Sequence, residues 1–167
     1  MKTYLITGAT GYIGSQIIES LIKSDDYKQG NMKIINHCRN KEKYQAMYLN
    51  TDGKNMYSLY SDIRDIKNVV YEAKQVGYLG NIDYIIHCAS NTTSSYMISN
   101  PIETIDGIVV GTKSVLELAK EEKVESMVYL SSMEVYGDIL CTPDNHATED
   151  MLGYIDILKP RSSYPLG

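Results

Sequence analysis

"TGATGYIGS", Thr7–Ser15, sets three glycines at intervals of three between an apolar run and a helical pattern. The run before it, "TYLIT" (Thr3–Thr7), is short and is closed by Gly8, which reads as a buried strand. After it, Ile13, Ile17, Ile18, Leu21 and Ile22 recur at helical spacing. A Gly-rich string alone marks only a turn, whereas one held between a strand and a helix carries more meaning. Gly8 permits the tight turn, Gly11 lets a pyrophosphate approach the backbone, and Gly14 allows the helix to pack close to the strand. The first amides of that helix, at Tyr12 and Ile13, then face the phosphates, where the helix dipole favours negative charge.

The same alternation continues outward. "MKII" (Met32–Ile35) and "NMYSLY" (Asn55–Tyr60) read as the second and third strands, and a helix follows over Ile63–Val76. "DYIIHCA" (Asp83–Ala89) reads as a fourth strand. Pro101 opens a long helix, Pro being tolerated in a first turn. Its expected core face carries Ile105, Val109, Thr112, Leu116 and Ala119, and "SMVYLS" (Ser126–Ser131) makes a fifth strand. Strand–helix alternation predicts an α/β fold with a doubly wound parallel sheet. The rhythm breaks over Glu134–Asp156, a stretch with six acidic residues, no Lys or Arg, and Pro143. That segment is either a functional lid or a solvated acidic loop.

Bulk properties narrow the function. One hundred and sixty-seven residues make one domain, large enough to bury a core. A net charge of −5 without a Lys/Arg-rich run argues against nucleic-acid binding. No stretch reaches the roughly 18 apolar residues of a membrane span, and no secretory leader is evident, so a cytoplasmic location is expected. Cys38, Cys88 and Cys141 are too scattered for a disulfide framework or a zinc pair, and no metal site is expected.

Five motifs in order resemble the extended short-chain dehydrogenases/reductases, the nucleotide-sugar epimerase/dehydratase group. "TGATGYIG" resembles the TGxxGxxG signature. "SDIRD" (Ser61–Asp65) resembles the element after strand three, which implies that Asp62 and Ile63 meet the adenine. "DYIIHCAS" (Asp83–Ser90) resembles the DxxxHxAA element, whose backbone at Cys88, Ala89 and Ser90 would line the cofactor. His87 within it reads as a structural core histidine. "NPIETIDGIVVGTKSVLELA" (Asn100–Ala119) and "YLSSMEVYG" (Tyr129–Gly137) resemble the long helix and the active-site strand. The resemblance implies a Rossmann fold binding NAD or NADP, cut before the C-terminal substrate-binding part. It also implies a nucleotide-sugar substrate and a homodimer when complete.

The end of strand two favours NADP. "IINHCRNKEK" (Ile34–Lys43) lacks the carboxylate that holds a ribose 2′-hydroxyl, and Arg39 stands there with a fork suited to a phosphate. The other reading of Arg39 is a solvated basic turn.

Catalysis in the family uses a Tyr that takes a proton from a sugar hydroxyl, a Ser or Thr that holds it, and a Lys four residues after the Tyr. By resemblance Ser132 takes the second role, with Ser131 ranked behind it. Tyr164 in "PRSSYPLG" takes the first, as in UDP-glucuronate decarboxylases. Glu134 stands near the sugar carboxylate region. The chain stops one position before the Lys, so it is expected to be inactive alone and frayed after Pro160 unless docked. Met133 replaces the Asp of dehydratase "TDE" motifs, which disfavours a 4,6-dehydratase and leaves an epimerase or a decarboxylase-like enzyme of surface polysaccharide synthesis. Ile108 replaces a family Asn, and strand two lacks the decarboxylases' acid. An NADPH-dependent carbonyl reductase and a non-catalytic dinucleotide-sensing module are the competing readings.

Overall fold

A computed structural model of the chain describes residues 1–49, 55–140, 142, 144 and 146–167. Cys141 and Pro143 lie outside them. In chain order the elements are β1 (Lys2–Thr7), α1 (Tyr12–Lys23), α2 (Asp25–Lys28), β2 (Met32–Cys38), α3 (Lys41–Tyr48), β3 (Met56–Tyr60), α4 (Ile66–Gln75), β4 (Tyr84–His87), α5 (Ser94–Ser99), α6 (Pro101–Glu122), β5 (Ser126–Tyr129) and α7 (Ser163–Leu166). Short 3₁₀ turns occupy Ile63–Asp65, Met133–Tyr136 and Pro160–Ser162.

The strands form one parallel sheet in the order β3-β2-β1-β4-β5. Alternation along each strand feeds two cores. Leu5, Ile35, Leu59 and Ile85 pack with Ile66 and Val70 of α4 and Val115 and Leu118 of α6. Ile6 and Ile34 pack with Ile18 of α1 and Tyr44 of α3. The expected doubly wound α/β sheet is therefore present. Strand order reverses beside β1, so the carboxyl ends of β1 and β4 flank the switch point where such sheets bind ligands.

The chain divides into two compact units. One, of residues 1–90 and 111–130, holds the sheet; the other, of residues 91–110 and 131–167, holds α5, the first half of α6, and α7. Inside the second unit, residues 136–138 pair with residues 153–154. Gly153 N–H donates to Tyr136 O at 2.8 Å and Asp138 N–H to Tyr154 O at 2.9 Å. Gly137, at φ +69°, lies so close to Tyr154 that a Cβ would stand 2.8 Å from its carbonyl oxygen. The neck of the acidic segment is thus a glycine-dependent contact.

Three expectations need correction. Strand β2 runs to Cys38, three residues past Ile35, because Asn36 and His37 are paired and buried rather than ending the strand. Exposed Arg39 leads into a helix absent from the expected elements. It precedes α3, which Asn40 caps by accepting from Lys43 N–H at 2.7 Å. The core face of α6 is also misassigned. Ile105, Val109 and Leu116 are 38%, 48% and 54% exposed, whereas Thr104, Gly111, Ser114, Val115 and Leu118 are buried. The helix carries two apolar stripes, and the one with smaller residues faces inward. Gly111 explains the choice, since a Cβ there would meet Ile63 Cγ2 at 2.7 Å.

Ile66 is fully buried between α4 and the sheet. Ile66→Ala is expected to cost about 2–5 kcal/mol by urea unfolding. Val76→Ala, at the 81% exposed end of the same helix, should stay within about 0.5 kcal/mol.

Candidate functional site

The turn after β1 is shaped by close backbone approach. Gly8 has φ +71°, and a Cβ on it would lie 2.9 Å from Ala89 N and from the Cys88 carbonyl. A Cβ on Gly14 would stand 2.4 Å from Gly8 O, so α1 can begin here only with glycine. Gly11 N–H donates to Gly8 O at 2.9 Å, and Ala9 N–H to His37 O at 3.1 Å. Tyr48 O–H, at the end of α3, donates to Ala9 O at 3.0 Å. Gly11 is the N-cap of α1; no side-chain cap bond forms there and no acid stands in the first turn. Among the described residues the amides of Tyr12, Ile13 and Gly14 have no recorded acceptor and stand as open donors at the positive end of a twelve-residue helix. Tyr12 and Ile13 are 85% and 53% exposed at this mouth.

Thr7 ties the turn to β4. Its hydroxyl accepts from Cys88 N–H and Ala89 N–H, both at 3.1 Å, and pairs with His87 Nδ1 at 2.7 Å. A hydroxyl has two lone pairs and one proton. With both lone pairs taken, the proton goes to Nδ1, which assigns His87 as the neutral Nε2–H tautomer; Nε2 lies 3.4 Å from Thr112 Oγ1. His87 is a satisfied core histidine, as its sequence context implied. Burial lowers its pKa from the usual 6.5 to about 4.

His37 forms a parallel case across the sheet from Thr7. Ser61 O–H donates to Asp62 O at 3.0 Å, so His37 Nε2–H donates to Ser61 Oγ at 2.9 Å. Its Nδ1 is buried and has no partner among the described residues, and neither has Asn36 Oδ1. Burial again lowers the pKa to about 4, against a smaller opposing pull from Asp62.

The remaining residues assigned by resemblance divide. Cys88, Ala89 and Ser90 follow β4, against Gly8. Asp62 caps the turn after β3, and Arg64 grips its carboxylate through Nε at 2.8 Å and Nη2 at 3.0 Å, holding the carboxyl below its usual range. The Ile63 side chain is buried over Gly111. Arg39 is exposed, and its charge reaches both Asp62 and His37.

The second unit holds Ser132, Glu134 and Tyr164. Ser132 Oγ accepts from Glu134 N–H at 3.2 Å and caps the turn Met133–Tyr136. The helix α7, which bears Tyr164, packs against that turn. The segment after Pro160 is docked, the condition on which fraying depended. Ser162 O–H donates to Asp156 O at 2.6 Å, Ser163 O–H donates to Met97 O at 3.4 Å, and both serines are buried.

Arg161 was missed in the sequence. Its Nη2 donates to Glu134 Oε1 at 2.6 Å, its Nε donates to Ser94 Oγ at 2.8 Å, and its guanidinium lies 5.5 Å from the centroid of the Tyr164 ring. Its Nη1 is buried without a partner among the described residues, an arrangement that costs about 1–3 kcal/mol. The available signal was the spacing Arg161–Tyr164, i to i+3, which places both on one face only if the segment is helical.

A family model described as GDP-mannose 4,6 dehydratase matches residues 5–166. The chain belongs to that family. It lies within the NAD-dependent nucleotide-sugar epimerases and dehydratases that its motifs resemble. UDP-glucuronic acid decarboxylase 1 of Danio rerio is 27% identical over 99% of this chain and 35% of its own length. UDP-glucose 4-epimerase of Neisseria meningitidis serogroup A is 31% identical over 90% of this chain and 42% of its own length. The chain thus spans well under half of these relatives. Among solved structures, a UDP-N-acetylglucosamine 4-epimerase from Methanobrevibacter ruminantium, in complex with UDP-N-acetylmuramic acid, aligns with a TM-score of 0.72. The match covers 99% of this chain and 47% of that one at 17% identity. A dTDP-glucose 4,6-dehydratase from Bacillus anthracis in complex with NAD aligns with a TM-score of 0.68 at 22% identity, over 99% of this chain and 48% of that one. Both share the fold. No helix among the described residues is long and apolar enough to cross a membrane.

Two outcomes follow for the polar row at the strand ends. Unfolded histidine protonates near 6.5 and these two near 4, so the unfolded state binds more protons between those values. Stability is then full above about pH 6.5 and falls as pH drops towards 4. His87→Gln should lessen that loss, read as urea midpoints at pH 7 and 4.5. Thr7→Val, which strands two amides and an imidazole, should cost at least about 1–3 kcal/mol, and Thr7→Ser should recover most of it.

Proposed function

We propose that this protein binds NAD or NADP in the Gly8–Gly14 turn and acts on a nucleotide sugar through a 4-keto intermediate, in surface polysaccharide synthesis. The observation that carries the reading is the cradle itself. Glycine is required where a Cβ would strike backbone at Gly8 and Gly14, and open amides stand at the start of α1. The fit to a pyrophosphate is direct, because those amides supply donors and the helix end supplies positive potential. Tyr12, Ile13 and Gly14 bind phosphate, while Cys88, Ala89 and Ser90 line the same mouth. The bound nicotinamide supplies a reversible hydride acceptor.

Tyr164 takes the proton of the sugar 4-hydroxyl, and Ser132 holds that hydroxyl in place. Glu134 faces the carbon-5 substituent. Met133 is exposed and has no proton to give a leaving hydroxyl, which supports an epimerase or decarboxylase-like reaction over dehydration. In the complete enzyme a homodimer in the cytoplasm is the expected state. Arg39 favours NADP, since no carboxylate stands at the end of β2 to repel a 2′-phosphate and Arg64 already engages Asp62.

Calorimetric titration of the chain with NADP and NAD tests the reading. Both should bind saturably, NADP more tightly. Gly14→Ala, which forces the start of α1 away from Gly8 O, should abolish binding of either. Arg39→Ala should weaken NADP by about tenfold to a hundredfold and spare NAD. Equal affinities, or tighter NAD, would refute the NADP preference. No binding of either would refute the cradle.

A further inference from the structure

We propose that Arg161 is the positioning residue of the Ser132, Glu134 and Tyr164 set, fixing the Glu134 carboxylate and the Tyr164 ring in one geometry through a single guanidinium. The inference rests on the proposed function, because positioning matters only if these groups meet substrate. Its physical basis does not.

Three features carry it. The guanidinium is engaged on separate sides by separate elements: Ser94 of α5 at Nε, Glu134 of the Met133–Tyr136 turn at Nη2, and the Tyr164 ring of α7 against its face. All lie in the second unit. A planar fork can serve an in-plane acceptor and a stacked ring at once, whereas a Lys ammonium on a flexible stem cannot. The backbone that carries Arg161 is also held. Pro160 precedes it in the first turn, Ser162 and Ser163 are buried, and Ser162 is bonded to Asp156 O. Finally, Nη1 stays buried and unpaired among the described residues. The guanidinium therefore does not sit where its own donors are best satisfied; it sits where Glu134 and the ring converge.

The consequence is a coupling. No hydrogen bond joins Glu134 to Tyr164 among the described residues, whereas Arg161 meets both, so it links the two side chains in addition to the packing of α7 on the turn. Neutralising Glu134 releases one arm of the fork and lets the guanidinium shift against the ring.

The test is fluorine NMR of the full chain with 3-fluorotyrosine placed at position 164. Glu134→Gln should move the resonance by more than its linewidth, and Arg161→Gln should move it further. Arg161→Lys keeps the charge and loses the fork. In that background Glu134→Gln should produce no additional shift, which is the double-mutant signature of a contact routed through one residue. Ser94→Ala should give a smaller displacement than Glu134→Gln. A resonance that ignores Glu134→Gln overturns the proposal, even if Arg161→Gln moves it, because Arg161 would then only pack on the ring. A Glu134→Gln shift of equal size in the native and Arg161→Lys backgrounds also overturns it. Should Arg161→Gln fail to fold, the Glu134→Gln and Arg161→Lys arms still decide. The readout needs neither cofactor nor substrate, so a chain that binds no dinucleotide leaves this test intact.

Discussion

The approach of the β1–α1 turn to the end of β4 is the constraint on which the first unit depends. Gly8 lies against the Cys88–Ala89 peptide with no room for a side chain, and the Thr7 hydroxyl receives both amides of that segment. Moving either segment outward would strand three polar groups at once, namely two amides and the His87 Nδ1. The same contact decides where α1 starts, since Gly14 sits against Gly8 O. Position, direction and open donors of the helix end therefore follow from one local fit. Under the proposed function such a site would need no reorganisation when its anion arrives, which is what makes fixed backbone donors effective.

The row Thr7, His37 and His87 at the strand ends shows how that fit is kept dry. The three residues are register partners on neighbouring strands and stand above the Leu5, Ile35 and Ile85 layer of the core. Placing two imidazoles there is tolerable only while they are neutral. Thr7 gives its one proton to His87, so a second proton on that ring would meet the hydroxyl hydrogen rather than a lone pair. Burial and hydrogen-bond direction thus act in the same sense. The carboxyl edge of the sheet at Thr7, His37 and His87 carries polar groups yet adds no positive charge of its own beside the Gly8–Gly14 turn.

Much of this was legible in the sequence, and the failures have physical causes. The Gly8–Gly11–Gly14 turn and all five strands could be read because apolar runs, glycines and the helical period agree with one another. The core face of α6 could not be read from periodicity, because Ile105, Val109 and Leu116 make as good a stripe as the true one. What selects the inward face is the small side at Gly111 beneath Ile63, a packing fact between residues 48 positions apart. Helix α3 escaped because its only buried residue is Tyr44 and its start depends on the Asn40 cap rather than on an apolar pattern. Arg161 escaped for a related reason: its partners Ser94 and Glu134 are distant in sequence, and only the folded second unit brings them to one guanidinium.

That cluster also bears on which reaction the second unit suits. A 4,6-dehydration needs a side chain that gives a proton to the departing hydroxyl, and the family places it where this chain has Met133. Glu134 is the nearest carboxylate in sequence, yet its Oε1 already accepts from the Arg161 fork. That oxygen is committed as an acceptor. Under the proposed function the carboxylate would define charge beside carbon 5 of a sugar whose carbon 4 has been oxidised. An epimerase needs that region to let the keto sugar turn, and a decarboxylase needs it to steer an anionic substituent. Under the proposed function, a fixed Glu134–Arg161 pair would suit either demand better than a mobile proton donor. The substitution at residue 133 and the ion pair at residue 134 therefore point the same way, although the first is a matter of sequence and the second of folding.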